Sequence, residues 1–358
     1  MTLLYSEVEQ ELRAAVRQVL TDRSSWPTVL AGTETADSHD RELWRRLAAD
    51  VGCAGLAVPE KFGGAGASWR ETAVVAEELG RAVAPVPFLG SVLATAALLA
   101  CEDDQLLPAV ASGERTAVLV MTLSTPPGSP VPSSVVVEDA ALTGTVTSVA
   151  DALAADTLVV PTSHGIYAVE AADTARTPVT SLDLTRRLCN VSLSSAPGRL
   201  IAEGAAAERA WAAALAAGAA VLASEQLGVA EWCLDTTVEY LKMRHQFGRP
   251  VGSFQGLKHR LAELWVAVTQ ARAVARYAAG CVADDDADAP IAVSIAQAHC
   301  SLVAVRAAEE CVQMHGGIGF TWEHPAHLYL KRAKSDAIAL GTAERHRAAL
   351  AGLVDLPA

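Results

Sequence analysis

Hydrophobic positions near the start of the chain recur at helical spacing. Leu4, Val8, Leu12, Val16 and Leu20 repeat every four residues, which is the stripe of a helix that faces a core. The same spacing returns at Leu43, Leu47 and Val51. A glycine-rich loop and another apolar helical stretch follow before two prolines. The pattern therefore predicts an N-terminal helical domain over residues 1–113.

The pattern changes near Thr116 to short runs of β-branched residues. Valines occur in brief segments that are separated by turn residues, among them the proline-rich stretch TPPGSPVPSS at 125–134. This alternation predicts a small middle β-domain over residues 114–203.

Long helical stretches return after the predicted β-domain. No proline occurs between Ala205 and Arg244, so the sequence predicts a helix of roughly 60 Å at ~1.5 Å per residue. Further helices are predicted at about 255–282 and 290–314. Because isolated helices of this length are unusual, we expect a C-terminal helical bundle over residues 204–358. The fold predicted for the whole chain is mainly α with a small β-domain.

Composition and charge narrow the class of protein. The formal charge is −13 and no basic stripe is present, which argues against a nucleic-acid partner. The seven cysteines are scattered without a C-x-x-C spacing, so we expect reduced thiols in a cytoplasmic protein. The N-terminus is acidic and amphipathic rather than a signal peptide. The apolar stretch at 210–223 is too short to cross a membrane, so no membrane partner is expected.

Three segments resemble motifs but favour structural interpretations. The loop GGAGAS at 63–68 lacks the third glycine of a dinucleotide fingerprint, so a loop between helices is favoured. His324 and His327 are three residues apart with an intervening proline, which is not the usual spacing of a metal pair on a helix. The serine of GSFQG at 252–256 stands one place too early for a nucleophile elbow.

Two segments carry groups that suit a ligand. RHQFGRP at 244–250, followed by SFQ at 253–255, places a guanidinium, amides and aromatic rings at a break between two long helices. Arginine binds phosphate oxygens in a planar fork, so this segment is either an anion site or a helix-connecting turn. QMHGGIGF at 313–320 places three glycines after a helix. They serve either as a helix end or as backbone that approaches a pyrophosphate.

Together these two segments resemble the C-terminal signatures of the acyl-CoA dehydrogenase family. GLAVPEKFGGAGASWRETAVVAEELGRA at 55–82 resembles the family's N-terminal domain, and the resemblance extends over nearly the whole chain. It implies an N-terminal helical domain, a middle β-domain and a C-terminal four-helix bundle. It also implies FAD, acyl-CoA thioesters and dimers of dimers in which each flavin spans a subunit interface.

The resemblance further implies which residues reach the adenine–pyrophosphate half of an FAD held by the neighbouring subunit. These residues are Arg244, Gln246, Phe247, Gln255, Gln313, Gly316 and Gly317. All of them are of the residue types that the family carries at these places. Thr342 is a further candidate for a flavin contact.

The place of the family's catalytic base differs in this sequence. In most members a Glu removes the α-proton of the thioester while hydride leaves the β-carbon. Because that proton is only modestly acidic, the reaction needs a positioned base. Leu340, just before Gly341 and Thr342, stands at the position of this Glu. Some members carry the Glu 26 residues before the signature Arg, and that position here is Gly218. Both known base positions therefore lack a carboxylate.

The segment that lines the flavin ring in the family differs as well. MTLSTPPGSP at 121–130 replaces a T-E-P-x-A-G-S-D-like run. Ser148 and Ala150 align with the Trp and Thr that contact the ring. The groups for this chain's own flavin ring are thus lost, whereas those that reach into a neighbour's site are kept.

This pattern of losses favours the non-catalytic subunit of a heteromeric (α2β2) acyl-CoA dehydrogenase, of the kind that acts on steroid side chains and similar bulky acyl-CoAs. A second family member supplies the base, the ring contacts and the acyl pocket in this hypothesis. One alternative is a homo-oligomeric flavoenzyme with a displaced base, for which Glu225 and Asp336 are the nearest carboxylates. The other alternative is a flavin-free binding or scaffold protein on the same fold.

Overall fold

Helices, a seven-stranded sheet and a small two-stranded hairpin build the part of the chain that the computed structural model describes, residues 3–35 and 39–355. The ends of the predicted outer domains, 1–2 and 356–358, lie outside this part. The α-helices that precede the sheet are α1 (Glu7–Arg23), α2 (Trp26–Thr33), α3 (Arg41–Arg45), α4 (Trp69–Ala82), α5 (Phe88–Ala100) and α6 (Leu107–Ala111). The predicted fold, mainly α with a small β-domain, is confirmed.

The stripe predicted for the first helix is wrong in its first half. Val16 and Leu20 are buried, but Leu4 precedes α1 and is 74% exposed, and Val8 is 66% exposed. Glu9 is buried near them instead, with its carboxylate 2.9 Å from a guanidinium of α4. Ionic pairing therefore holds the start of α1 where apolar packing was expected.

The second predicted stripe is interrupted by a π-helical turn, Arg46–Asp50, which follows α3. Leu43 and Leu47 are buried, whereas Val51 is half-buried just beyond the turn. A π-helical turn inserts an extra residue into the helix, so position 51 rotates away from the inward face.

The glycine-rich loop predicted to connect two helices does so. It follows the 3₁₀ turn Glu60–Phe62 and leads into α4. Ser68 caps α4 in a reciprocal pair with Glu71, whose carboxylate accepts the Ser68 N–H at 2.8 Å. The loop is therefore a helix entry.

A seven-stranded sheet occupies residues 117–203. Its strands are β1 (Ala117–Leu119), β2 (Val135–Glu138), β3 (Ala141–Ala150), β4 (Thr157–Thr162), β5 (Gly165–Glu170), β6 (Ala175–Val179) and β7 (Leu188–Glu203). Their order is β1-β4-β5-β7-β3-β2, with β6 also paired to β7, and the β1–β4 pair is parallel while the others are antiparallel. The domain boundaries at 113/114 and 203/204 stay predictions.

Long helices follow the sheet without a break. They are α7 (Gly204–Met243), α8 (Gln255–Ala283), α9 (Ala289–His315), α10 (Ala326–Asp336) and α11 (Ala343–Leu353). The three long helices begin and end within one residue of their predicted bounds. α7 and the stretch Ala289–Phe320 are long and apolar enough to cross a membrane, but most of each apolar window is buried inside the structure. Such burial is typical of core helices in a bundle.

The N-terminal and C-terminal helices share one core because α4 and α7 touch backbone to backbone. A Cβ on Gly228 would lie 1.9 Å from the Glu77 carbonyl oxygen, and one on Gly80 would lie 2.1 Å from the Glu225 carbonyl oxygen. Side chains at these two glycines would force the helices apart. All seven cysteines are free; six are buried and Cys101 is half-buried.

Candidate functional site

The two positions predicted to lack a base meet in space. A Cβ built on Gly218 of α7 would lie 3.4 Å from Cδ1 of Leu340 and 2.3 Å from Cδ2 of Leu93. Leu340 and Leu93 are both buried. α5 therefore presses a leucine onto the place that a side chain at 218 would take. Hydrocarbon fills the centre where a carboxylate would act.

The segment 121–130 covers the same centre from the side of the β-domain. The Leu340 N–H donates to the Leu123 carbonyl at 2.7 Å, and the Leu123 N–H donates to the Ser148 carbonyl at 3.1 Å. The Trp211 indole N–H fastens the far end of the segment by donating to the Ser129 carbonyl at 2.8 Å. The segment is thus packed onto residue 340 and tied to β3.

The two carboxylates named as candidate bases, Glu225 of α7 and Asp336 of α10, belong to one buried ionic cluster. Arg186, in the loop before β7, donates to Glu225 at 2.5 and 2.7 Å and to Asp336 Oδ1 at 2.6 Å. Arg332 of α10 donates to Glu225 at 2.5 Å and to Asp183 at 2.7 Å. All five residues are buried.

Burial and pairing shift the two pKa values in opposite directions. Burial opposes ionisation of Glu225, but Arg186 and Arg332 outweigh it and lower the pKa of this carboxyl. Burial and the charge of Glu225 raise the pKa of Asp336 to about 8. Both carboxylates are enclosed by protein and bound to guanidinium groups, so neither is placed to take a proton from a substrate carbon. This arrangement does not favour a displaced base at Glu225 or Asp336, and that alternative stays a prediction.

Five of the predicted cofactor contacts line one surface pocket of about 340 Å³. They are Arg244, Gln246, Gln313, Gly316 and Gly317. The end of α7 with the hairpin after it forms one wall, and the end of α9 forms the other. Arg244 makes no ion pair with any described residue, so its guanidinium is available to an anion.

The groups around this pocket suit the adenosine-diphosphate end of FAD. Besides the free guanidinium, Arg260 lines the pocket and is paired with Glu310 at 2.6 Å. Two glutamine amides offer both donors and acceptors for a base or a ribose. Gly316 has φ +63° and ψ −140°, and a Cβ on Gly316 or Gly317 would meet nothing within 4 Å, so the backbone is open to a pyrophosphate.

A hairpin at the edge of the pocket carries Phe247 at its tip. The strands β8 (His245–Gln246) and β9 (Arg249–Pro250) flank a two-residue tip. Phe247 and Gly248 both have positive φ, +53° and +73°, as a type I′ turn requires. A phenylalanine is strained in this conformation, yet its ring is 91% exposed. The ring meets Phe254 edge-on, with centroids 6.3 Å apart, and otherwise faces solvent.

Gln255 and Thr342 are not among the residues that line the pocket. Gln255 is exposed at the first turn of α8. The Thr342 hydroxyl caps α11 by accepting the Arg345 N–H at 3.5 Å, two residues after Leu340. The roles predicted for Gln255 and Thr342 stay predictions.

Tyr240 and His315 also line the pocket, although neither was a predicted contact. Tyr240 lies in the last turn of α7, and its carbonyl accepts the N–H of Arg244, the residue that follows the helix, at 2.8 Å. His315 lies inside the signature, between Gln313 and Gly316. Both residues stand within or beside the two signature segments, but spacing in the sequence alone does not distinguish a ligand contact from a packing residue.

Two family models match most of the chain. The model "Acyl-CoA dehydrogenase, N-terminal domain" matches residues 6–114, and "Acyl-CoA dehydrogenase, C-terminal domain" matches residues 209–353. The chain is 38% identical over 334 residues to Acyl-CoA dehydrogenase IpdE2 of Mycobacterium tuberculosis, which covers 92% of either protein.

Solved structures of heteromeric relatives share the fold. The ChsE4–ChsE5 complex from Mycobacterium tuberculosis has a chain that is 30% identical, with a TM-score of 0.88 over 100% of both chains. The Tcur3481–Tcur3483 steroid ACAD, solved as a G363A variant, has a chain that is 31% identical, with a TM-score of 0.84 over 99% of both chains.

Proposed function

The chain belongs to the acyl-CoA dehydrogenase family of oxidoreductases, and from that premise we propose that it is the non-catalytic subunit of a heteromeric enzyme. A second family member supplies the catalytic Glu, the contacts to the flavin ring and the acyl pocket. The two chains form an α2β2 assembly in the cytoplasm. The pocket lined by Arg244, Gln246, Gln313, Gly316 and Gly317, which we call the nucleotide-binding pocket, contributes to binding of the FAD that the partner holds.

The convergence of Gly218, Leu340 and Leu93 carries this proposal. If only one base position lacked its Glu, the other could still supply the proton acceptor. Here the two positions are neighbours and a third residue fills the space between them. A carboxylate restored at 218 or 340 would be buried against the leucine side chains that meet there, and burial of an unpaired polar group costs about 2–7 kcal/mol.

The nucleotide-binding pocket gives a chain without a catalytic base a role in the assembly. FAD, when bound, supplies the acceptor for the hydride that leaves the substrate. Arg244 binds a phosphate oxygen by a charge-assisted hydrogen bond. Gln246 and Gln313 orient the adenosine end, and Gly316 and Gly317 offer backbone N–H groups. This chain thereby holds the cofactor in place while the partner performs proton abstraction.

We place the substrate among steroid-derived or similarly bulky acyl-CoA thioesters. The Tcur3481–Tcur3483 relative is a steroid ACAD, and both solved relatives are complexes of two different chains. The acyl pocket in this proposal belongs to the partner, so the partner's residues select the acyl group.

Co-expression tests the proposal. The chain is produced alone and together with a family member that carries the Glu which this chain lacks. We expect the pair to co-purify as a yellow complex that oxidises a steroid acyl-CoA with an artificial electron acceptor, and each chain alone to retain little FAD and to be inactive.

Other outcomes of this experiment decide against the proposal. Full FAD occupancy and dehydrogenation by the chain alone would point to a homo-oligomeric enzyme whose base lies at neither position 218 nor position 340. A colourless chain that neither takes up FAD nor pairs with a Glu-bearing family member would point to a scaffold protein.

A further inference from the structure

Three rings, which we call the ring stack, lie at the wall of the nucleotide-binding pocket: Tyr240 and His315 line it and are stacked, and His324 is tilted against His315. The centroids of Tyr240 and His315 are 4.4 Å apart, and those of His315 and His324 are 4.2 Å apart. Tyr240 belongs to α7, His315 ends α9, and His324 lies in the loop before α10. The stack thus joins three segments around the 3₁₀ turn Gly316–Phe320, which we call the glycine turn.

The glycine turn depends on what lies beneath it. A Cβ on Gly319 would lie 2.5 Å from the Val312 carbonyl oxygen and 3.2 Å from Cβ of His315, so the turn folds back tightly onto the end of α9. Gly316 and Gly317 line the pocket from this turn. A change in the ring stack therefore alters the backbone that faces the nucleotide.

Hydrogen bonds define which nitrogens of the two imidazoles carry protons. His315 Nδ1 lies 2.7 Å from the Cys311 carbonyl oxygen, and because a carbonyl only accepts, Nδ1 carries a proton. His324 Nδ1 accepts the Ala326 N–H at 3.3 Å, so it must keep its lone pair. His315 is buried, and its Nε2 has no partner among the described residues. Protonation of His324 breaks its bond to Ala326 and sets a charge against His315.

We propose that His315 and His324 are positioning residues that hold the glycine turn in its pocket-lining form as long as no more than one of the two is protonated, and that mild acid releases the turn and with it the nucleotide. The release of nucleotide rests on the proposed function. The opening of the turn is a property of this chain alone.

Charge around the stack explains the order of protonation. Burial lowers the pKa of His315, but its contacts with Cys311 outweigh burial and raise it. Burial, His315 and His327 lower the pKa of His324 to about 4. The titratable and charged groups that face the stack or line its pocket are Cys233, Tyr240 and Arg244 of α7, Arg260 of α8, Cys311 of α9, and His327 and Lys331 of α10.

The sign of the pH dependence follows from His324. Its pKa in the folded chain lies below the usual value of 6.5, so its contribution to stability is present above 6.5 and is lost as the pH falls toward about 4. If opening of the turn restores the usual pKa, the open fraction rises by about 20- to 30-fold between a pH of about 7.5 and about 5.

Amide hydrogen exchange on the full chain measures this opening without any cofactor. The Thr321 N–H, which donates to the Ile318 carbonyl at 3.0 Å, reports on the turn. Exchange times are scaled so that intrinsic rates match at both pH values. We expect the wild-type turn to lose about 20- to 30-fold protection at the lower pH. His324→Phe keeps the stack without a titrating group, so its loss should be less than about threefold.

His299→Phe is the matched control, because His299 is a half-buried histidine of α9 outside the stack. It should behave as wild type. His315→Phe gives a second test: without the facing charge, His324 titrates nearer its usual value and the acid effect shrinks. Equal pH dependence in wild type and both stack variants would overturn the proposal.

FAD retention by the co-purified pair, followed over the same pH range, separates this inference from the proposed function. If His324→Phe retains FAD at the pH at which wild type releases it, both hold. If the turn opens in acid but the pair contains no FAD at any pH, the ring stack acts as proposed and the proposed function fails. If the pair retains FAD while exchange in the turn does not depend on pH, the inference fails alone.

Discussion

Leu340 is held in a conformation that its side chain disfavours. Its φ is +53°, in the left-handed region, which costs any residue that has a Cβ about 1 kcal/mol or more. Two hydrogen bonds fix it: its N–H donates to the Leu123 carbonyl at 2.7 Å, and its own carbonyl accepts from His346 Nε2 at 2.9 Å. The backbone at residue 340 is thus held by a hydrogen bond on each side.

Restoring the missing carboxylate should not restore catalysis. In Leu340→Glu the new group enters contact with Leu93 and Gly218, so we expect no dehydrogenation by the chain alone and a loss of at least about 2 kcal/mol in the free energy of unfolding. Urea unfolding near pH 7 measures the loss. Leu340→Met conserves volume and should cost less than about 1.5 kcal/mol. Activity gained by the Glu variant would show that the centre is not closed.

Arg244 should matter for the cofactor and not for the fold. Removal of a charge-assisted hydrogen bond to a phosphate costs about 1.5–3 kcal/mol, so Arg244→Ala in the co-purified pair should bind FAD about 10- to 150-fold more weakly at an unchanged melting temperature. FAD titration of the apo pair measures the loss. Arg306→Ala, which removes an exposed guanidinium of α9 paired with Glu263, is the control. Equal affinities in both variants would make Arg244 a structural residue.

The resemblance to the two family signatures predicts single positions of this site. It gives the lack of a carboxylate at 218 and 340 and the candidate contacts from 244 to 317, of which the structure brings five into one pocket. It does not predict that Leu93 fills the space at Gly218, because Leu93 belongs to a mainly apolar, buried helix in which no residue stands out. Nor did spacing assign His315 a role, because its bonds to Cys311 and its stack with His324 depend on the packing of three segments.

At the level of elements, the buried ionic cluster fastens the sheet to the bundle. Arg186 precedes β7, whereas Glu225 lies on α7 and Asp336 on α10. The bond between Arg186 and Asp336 joins residues 150 positions apart. No periodicity predicts such a partner, so the sequence alone could not show that both candidate bases lie in a buried ionic cluster.

Asp336 should make this fastening sensitive to pH. Its pKa is raised from 3.8 to about 8 in the folded chain, so its contribution to stability is complete below 3.8 and is lost as the pH rises toward 8. The loss approaches at most ~1.4 kcal/mol per pH unit in this window. Asp336→Asn removes the titration and keeps the shape, so the variant should gain stability relative to wild type as the pH rises. Urea midpoints at four pH values from about 5 to 8 measure the difference, and parallel curves for both proteins would contradict it.

Element boundaries were predictable where the pattern was strong and local. The three long helices have few breakers inside and clear turn chemistry at their ends, so their bounds could be predicted within one residue. The first helix shows the limit of this approach. Its apolar residues at 4 and 8 face solvent because Glu9 forms a long-range ion pair with Arg70, and a four-residue repeat does not distinguish an inward face from an outward one.

At the scale of the whole molecule, the chain closes one site and leaves another open. The centre around Leu340 is packed, whereas Arg244 and its neighbours line a pocket at the surface. The rings of Phe247, Phe320 and Trp322, which lie close in sequence to residues of this pocket, are exposed. The asymmetry fits a chain that reaches into a partner's site and has no complete site of its own.

This asymmetry predicts the cofactor content of the assembly. Each pair of chains should hold one FAD, because this chain supplies contacts for the nucleotide end while its own base centre is filled by Leu93 and Leu340. Flavin released by denaturation, measured by absorbance against the protein concentration of the co-purified pair, gives the ratio. Arg244→Ala in this chain should lower the ratio toward zero although the partner's ring contacts are intact, since the two ends of one FAD are bound by different subunits. Two FAD per pair would show that a flavin ring also binds beside Leu340 of this chain. That result would contradict the proposal that only the partner holds the flavin ring.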